Sequence, residues 1–129
     1  MLEKSCYPAP MTTILRIFAW LLAAAVTFAT LGPAMLRPHS ELGQRGEHAL
    51  AFVLVGLAFG IAYSRQRLLT SAISVIAIGV LEILQLWVPG RHARLGDFVI
   101  DALAACIGLA MTAGLDWTRQ RLRWSTKPS

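Results

Sequence analysis

Four long apolar stretches alternate with short polar ones along the chain: Ile14 to Leu31, Ala49 to Tyr63, Leu69 to Val88 and Phe98 to Leu115. Each approaches the about 20 residues that an α-helix needs to cross the hydrocarbon core of a bilayer. The second is the shortest, and His48 before it and Ser64 after it bring it into the usual range of about 17 to 25 residues. Helices buried in a soluble core are the alternative, but four such segments in so short a chain leave no amphipathic partner to cover them. The expected fold is all-α: an integral membrane four-helix bundle in one domain. Residues 1–13 read as a leader, 14–115 as the four-span domain and 116–129 as a basic tail.

Composition points the same way. With 56% hydrophobic and 15% charged residues, a chain of 129 residues has too little charge to cover a soluble surface. The net charge of +5 raises the question of nucleic acid, but the basic residues sit at the ends of the apolar stretches rather than along one face. Membrane topology accounts for them better, so the partner expected is the lipid bilayer and not nucleic acid. With the amino terminus inside, the cytoplasmic side holds Lys4, Arg16, Arg65, Arg67, Arg119, Arg121, Arg123 and Lys127. The outer side then holds only Arg37, Arg45, Arg91 and Arg94. Basic residues concentrate on the cytoplasmic side of membrane proteins, so both termini are expected to be cytoplasmic. Trp20, Tyr63 and Trp117 then fall near the inner interface and Trp87 near the outer one. The tail from Asp116 to Ser129 is expected along the inner surface, with Trp117 and Trp124 in the interface and its arginines toward anionic headgroups.

The first stretch has a second reading as a cleaved signal peptide, because Lys4 and Arg16 precede an apolar run ending in Gly32, Pro33 and Ala34. The run is long for that role, and three remaining spans would keep the later loops on the same sides. Met11 is an alternative start, since Met1 to Pro10 holds two prolines and no periodic pattern. Cys6 and Cys106 belong to segments at different depths and read as free thiols. Gly56 and Gly60 in the second stretch, and Ala104 and Gly108 in the fourth, have the four-residue spacing that lets helix backbones approach closely.

The remaining ionisable residues share one leaflet under this topology. The second span starts with Glu47 and His48, the third ends after Glu82 and Gln85, and the fourth starts with Asp97 and Asp101. Pro89 to Gly96 forms a tight turn between the last two and carries Arg91, His92 and Arg94 over the same place. Asp97 and Asp101 are four apart on one helical face, and Glu82 and Gln85 three apart on another, so each pair can point into one cleft. At about 1.5 Å rise per residue, Glu82 lies roughly 9 Å below the turn. A carboxylate at full depth costs up to about 2.5 to 3.5 kcal/mol, so Glu82 should face the bundle and find a partner such as Arg91. An ion-pair clasp of Glu82, Arg91 and Asp97 that only fixes helix register is the structural alternative. Asp97 also has a plain reading as a helix N-cap, and His48 and His92 as residues in headgroup water.

Glu82-x-x-Gln85, Pro89-Gly90-Arg91, Asp97 with a polar residue at 101, and Gly108, together with Glu47-His48, resemble the VanZ-like family of bacterial membrane proteins. The resemblance covers about Arg37 to Leu115. It implies a small multi-pass protein of the bacterial cell (inner) membrane, in a family linked to low-level resistance to the glycopeptide teicoplanin. The sequence departs from the family pattern at Asp101, where asparagine is frequent, and at Ala104, where glycine is usual.

Two functions follow from the polar set. In the first, an outward-facing site binds or acts on an anionic lipid or lipid-linked envelope precursor. Arg91 and Arg94 would hold the anionic head, with Gln85 and Asp101 completing the substrate-binding set, since guanidinium matches phosphate or carboxylate with paired hydrogen bonds. Glu82, Asp97 and His48 would be the catalytic group, with Glu82 as acid or base and Asp97 orienting it. Asp97 and Asp101 also suit a divalent cation, but nothing enforces a full ligand count, so neither metal nor cofactor is assigned. In the second, the same residues serve a non-catalytic accessory or scaffold protein. A channel is disfavoured, because the inner half offers only hydroxyls such as Ser71, Ser74 and Thr112.

Overall fold

The computed structural model describes residues 8–32, 43–88 and 94–126. Among them the regular structure is four helices, α1 (Ala9–Leu31), α2 (Gly43–Ala62), α3 (Arg67–Gln85) and α4 (Leu95–Ser125). All four are long and apolar enough to cross a membrane. Helix α1 begins ahead of its apolar stretch because Pro10 falls in its first turn, where a missing N–H leaves no bond unmade. Helix α2 also starts early, at Gly43, whose φ of 70° costs a glycine little. Its polar first turns therefore stand in line with the apolar ones. Helix α3 closes on three successive tight bonds, from the N–H groups of Leu86, Trp87 and Val88 to the carbonyls of Ile83, Leu84 and Gln85.

Helix α4 has 31 residues, about 46 Å at the standard rise, against a hydrocarbon core of about 30 Å. The stretch after Asp116 continues this helix without a break as far as Ser125.

Helices α2 and α4 form the centre and run parallel, for His48 lies near Asp101 and Gly60 near Thr112. Their backbones are nearly in contact. A Cβ on Gly56 would run into the Ala105 carbonyl, and one on Gly108 would collide with the Val53 carbonyl and the Leu57 nitrogen. The small residues expected to bring helices together thus do so between the second and fourth spans. Gly56→Ala should therefore lower stability by about 1 to 3 kcal/mol, because the obstacle is backbone and cannot rotate away. Gly114→Ala, at a site with open space around it, is the control and should melt with the native protein in detergent.

Helix α1 packs antiparallel on α2, with Trp20 beside Tyr63, and α3 antiparallel on α4, with Arg67 beside Asp116 and Gly79 beside Phe98, while α1 and α3 meet lightly. The core is small, built on Phe52, Ile78, Ala104 and Ala105. Large apolar side chains such as Ile14, Phe28, Ile76 and Ile107 point outward, as they do where the surrounding solvent is lipid. One end of the bundle, which we term the basal end, gathers the start of α1, the α2–α3 connection and the end of α4. There Trp20 Nε1 donates to the Tyr63 hydroxyl at 3.0 Å, and the Arg16 guanidinium lies 4.9 Å from the Tyr63 ring centroid. Arg67 pairs with Asp116, tying α3 to α4. At the opposite, distal end the interior turns polar.

Candidate functional site

Helices α3 and α4 each carry an apolar interior face on into polar residues. The buried line on α3 is Ile78, Glu82 and Gln85, and on α4 it runs from Thr112 back through Gly108 and Ala104 to Asp101. These positions recur at helical spacing, so the faces that pack the core also deliver Glu82 and Asp101 to the distal end of the bundle. Glu82 and Gln85 are each 8% exposed and Asp101 4%.

Helix α2 answers α4 with two rungs. Arg45 Nε stands 3.3 Å from Asp97 Oδ1, and His48 Nδ1 3.9 Å from Asp101 Oδ2. Arg45 and His48 are three residues apart and Asp97 and Asp101 four, so two parallel helices match turn for turn. The outer rung is solvent-exposed on the Arg45 side and contributes little, on the order of 0 to 1 kcal/mol. It is an ion pair without an aligned hydrogen bond, since Asp97 Oδ1 is buried and accepts none among the described residues. The inner rung is too long for a hydrogen bond and becomes an ion pair only when His48 is protonated.

Glu82 stands apart from both rungs. Its Oε2 is buried and has no hydrogen-bond partner among the described residues. Asp101, Asp97 and His48 are all close enough for their charges to act on it. A buried carboxylate oxygen left unpaired costs about 1 to 3 kcal/mol or more, and Glu82, unlike Asp97, has no ion pair among the described residues to offset it.

The structure thus brings together His48, Glu82, Gln85, Asp97 and Asp101. Arg94 is exposed at the N-cap of α4. Asp97 is not the cap: it lies in the first helical turn, where its charge favours the helix dipole while its side chain turns to Arg45. Arg91 and His92, and with them the expected Glu82–Arg91 pair, lie outside the described residues, as does Cys6. Cys106 is a free, half-buried thiol. Among the described residues, no group of three or more His, Cys, Asp or Glu is arranged to hold a metal ion. Sequence reasoning counted Arg45 only as a loop charge. The signal for it was the three-residue spacing to His48, read against the four-residue spacing of the two aspartates.

Four helices long and apolar enough to span a membrane, with polar residues gathered where three of them end, define a small multi-pass membrane protein. The chain belongs to the VanZ/LLP1 family, whose profile matches residues 6–115. Searches of curated proteins and of solved structures found no match to the chain.

Proposed function

We propose that the distal cleft faces the outside of the bacterial cell membrane and binds or acts on an anionic lipid or lipid-linked component of the envelope. The observation that carries this reading is Glu82, a carboxylate buried in a membrane protein with an oxygen unpartnered among the described residues. A purely structural acid in lipid is expected to be matched by its neighbours. Glu82 is instead free to take a hydroxyl proton or to hydrogen-bond a ligand. Arg94, together with Arg91 three residues before it in the sequence, supplies the cations for a phosphate or carboxylate head. Glu82, Asp97 and His48 form the catalytic group in this proposal, and Gln85 and Asp101 line the bound head. An accessory protein with an ion-pair clasp is the second reading. The Arg45–Asp97 and His48–Asp101 rungs favour it, because they tie α2 to α4. The family link to teicoplanin resistance suggests the phenotype to follow, the glycopeptide susceptibility of cells that carry the chain.

The test is lipid capture. The purified protein, offered an envelope lipid extract, should retain a lipid-linked or anionic species that Arg91→Ala with Arg94→Ala releases; equal retention by both proteins sinks the proposal. Sidedness is read separately, from the bias of basic residues. A cysteine placed at Ala93 should react with an impermeant thiol reagent applied outside intact cells, and one placed at Ser125 should not. The reverse pattern would turn the cleft toward the cytoplasm.

A further inference from the structure

The tight α2–α4 contact leaves a groove where α1 and α3 meet lightly. Its volume is about 290 Å³. Phe52, Val55 and Phe59 of α2 form its floor, α1 contributes Ala23 and Val26, and α3 contributes residues from Leu69 to Leu81. Polar groups collect at its basal mouth, where Trp20, Tyr63, Gln66 and Thr70 line it.

The charge at that mouth is positive. Arg67 is neutralised by Asp116 and Arg121 lies over Trp117, 4.0 Å from the ring centroid. Arg16 differs from both: it lies over the Tyr63 ring, and no acid pairs with it among the described residues. The exposed Arg65 adds a second cation on the connecting turn next to Gln66. The combination is an apolar slot that ends near a guanidinium with no acid partner among the described residues, flanked by a phenol and an indole. A guanidinium so placed suits a phosphate, with which it makes paired hydrogen bonds. The apolar slot suits a hydrocarbon chain, which gains contact with aromatic and aliphatic walls.

We propose that this groove is a binding site for an anionic phospholipid, with one acyl chain between α1 and α3 and the phosphate at Arg16. It is separate from the distal cleft and lies at the other end of the bundle, so it does not depend on what that cleft binds.

The probes are phosphatidylglycerol and phosphatidylcholine of identical chains, offered together to the detergent-purified full chain, with retained lipid measured by native mass spectrometry. The native protein should keep phosphatidylglycerol in preference. Arg16→Gln should lower that preference by about fivefold, the effect of one basic residue near an anionic headgroup. Ala77→Phe, which fills the slot from α3, should lose both lipids while melting with the native protein; Ala23→Phe fills it from α1 should the first variant fail to purify. Equal retention of the two lipids by the native chain overturns the proposal. So does an unchanged preference in Arg16→Gln, or full retention by a folded slot-filling variant.

Discussion

Glu82→Gln should leave the bundle folded and remove the phenotype that the native protein supports. Glutamine keeps the shape of the side chain and one oxygen, but it neither ionises nor transfers a proton. Its thermal midpoint in detergent should be no lower than that of the native protein, because the substitution removes a buried carboxylate with an unpartnered oxygen rather than a satisfied one. If Glu82 is an acid or base, the loss of turnover should be about 10²- to 10⁴-fold. If the chain supports the glycopeptide phenotype proposed for it, cells carrying this variant should be as susceptible as cells lacking the chain. A stable Glu82→Gln protein with the full native phenotype would remove the catalytic assignment and leave the accessory reading. A protein that fails to fold would instead make Glu82 a structural residue with a partner outside the described segments.

At the basal end the largest effect is expected from Arg67 and Asp116. Their side chains are 23% and 33% exposed, so the pair is neither fully buried nor free in water. Breaking a fully buried pair costs about 3 to 5 kcal/mol, and partial solvent screening reduces this to about 1 to 2 kcal/mol here. Arg67→Met should strand Asp116, and Asp116→Leu should strand Arg67. The double variant should melt above the level that the two single losses predict together, because it leaves no unpaired charge. Additive losses would show that the two residues act separately and that α3 is held to α4 by apolar packing alone. The lipid capture proposed for the distal residues provides an internal check: neither single variant should change the species that Arg91→Ala with Arg94→Ala releases, since Arg67 and Asp116 sit at the opposite end of the bundle.

The four spans were legible in the sequence because a bilayer imposes a length and a polarity that no other environment demands, and the stretches from Ile14 to Leu115 meet both. The placing of polar residues on common faces was also legible, since Asp97 with Asp101 and Glu82 with Gln85 follow helical spacing directly. Helix edges were less so. Helix α1 starts at Ala9 and α2 at Gly43, in polar or proline-containing segments whose helicity depends on what they join rather than on their own hydropathy.

Which helices touch was decided only in three dimensions. Gly56 and Gly108 announce close approach but not the partner, and it is their mutual fit that sets α2 against α4. That choice places Arg45 over Asp97 and His48 over Asp101, leaving Glu82 on α3 outside both rungs. The same choice keeps α1 and α3 from closing on each other and creates the groove. Sequence by itself determined the membrane class, the four helices and the residues that had to be turned inward. Tertiary structure decided which inward charges meet and which are left over, because hydropathy fixes a segment's depth while only side-chain fit between neighbouring helices fixes its partner.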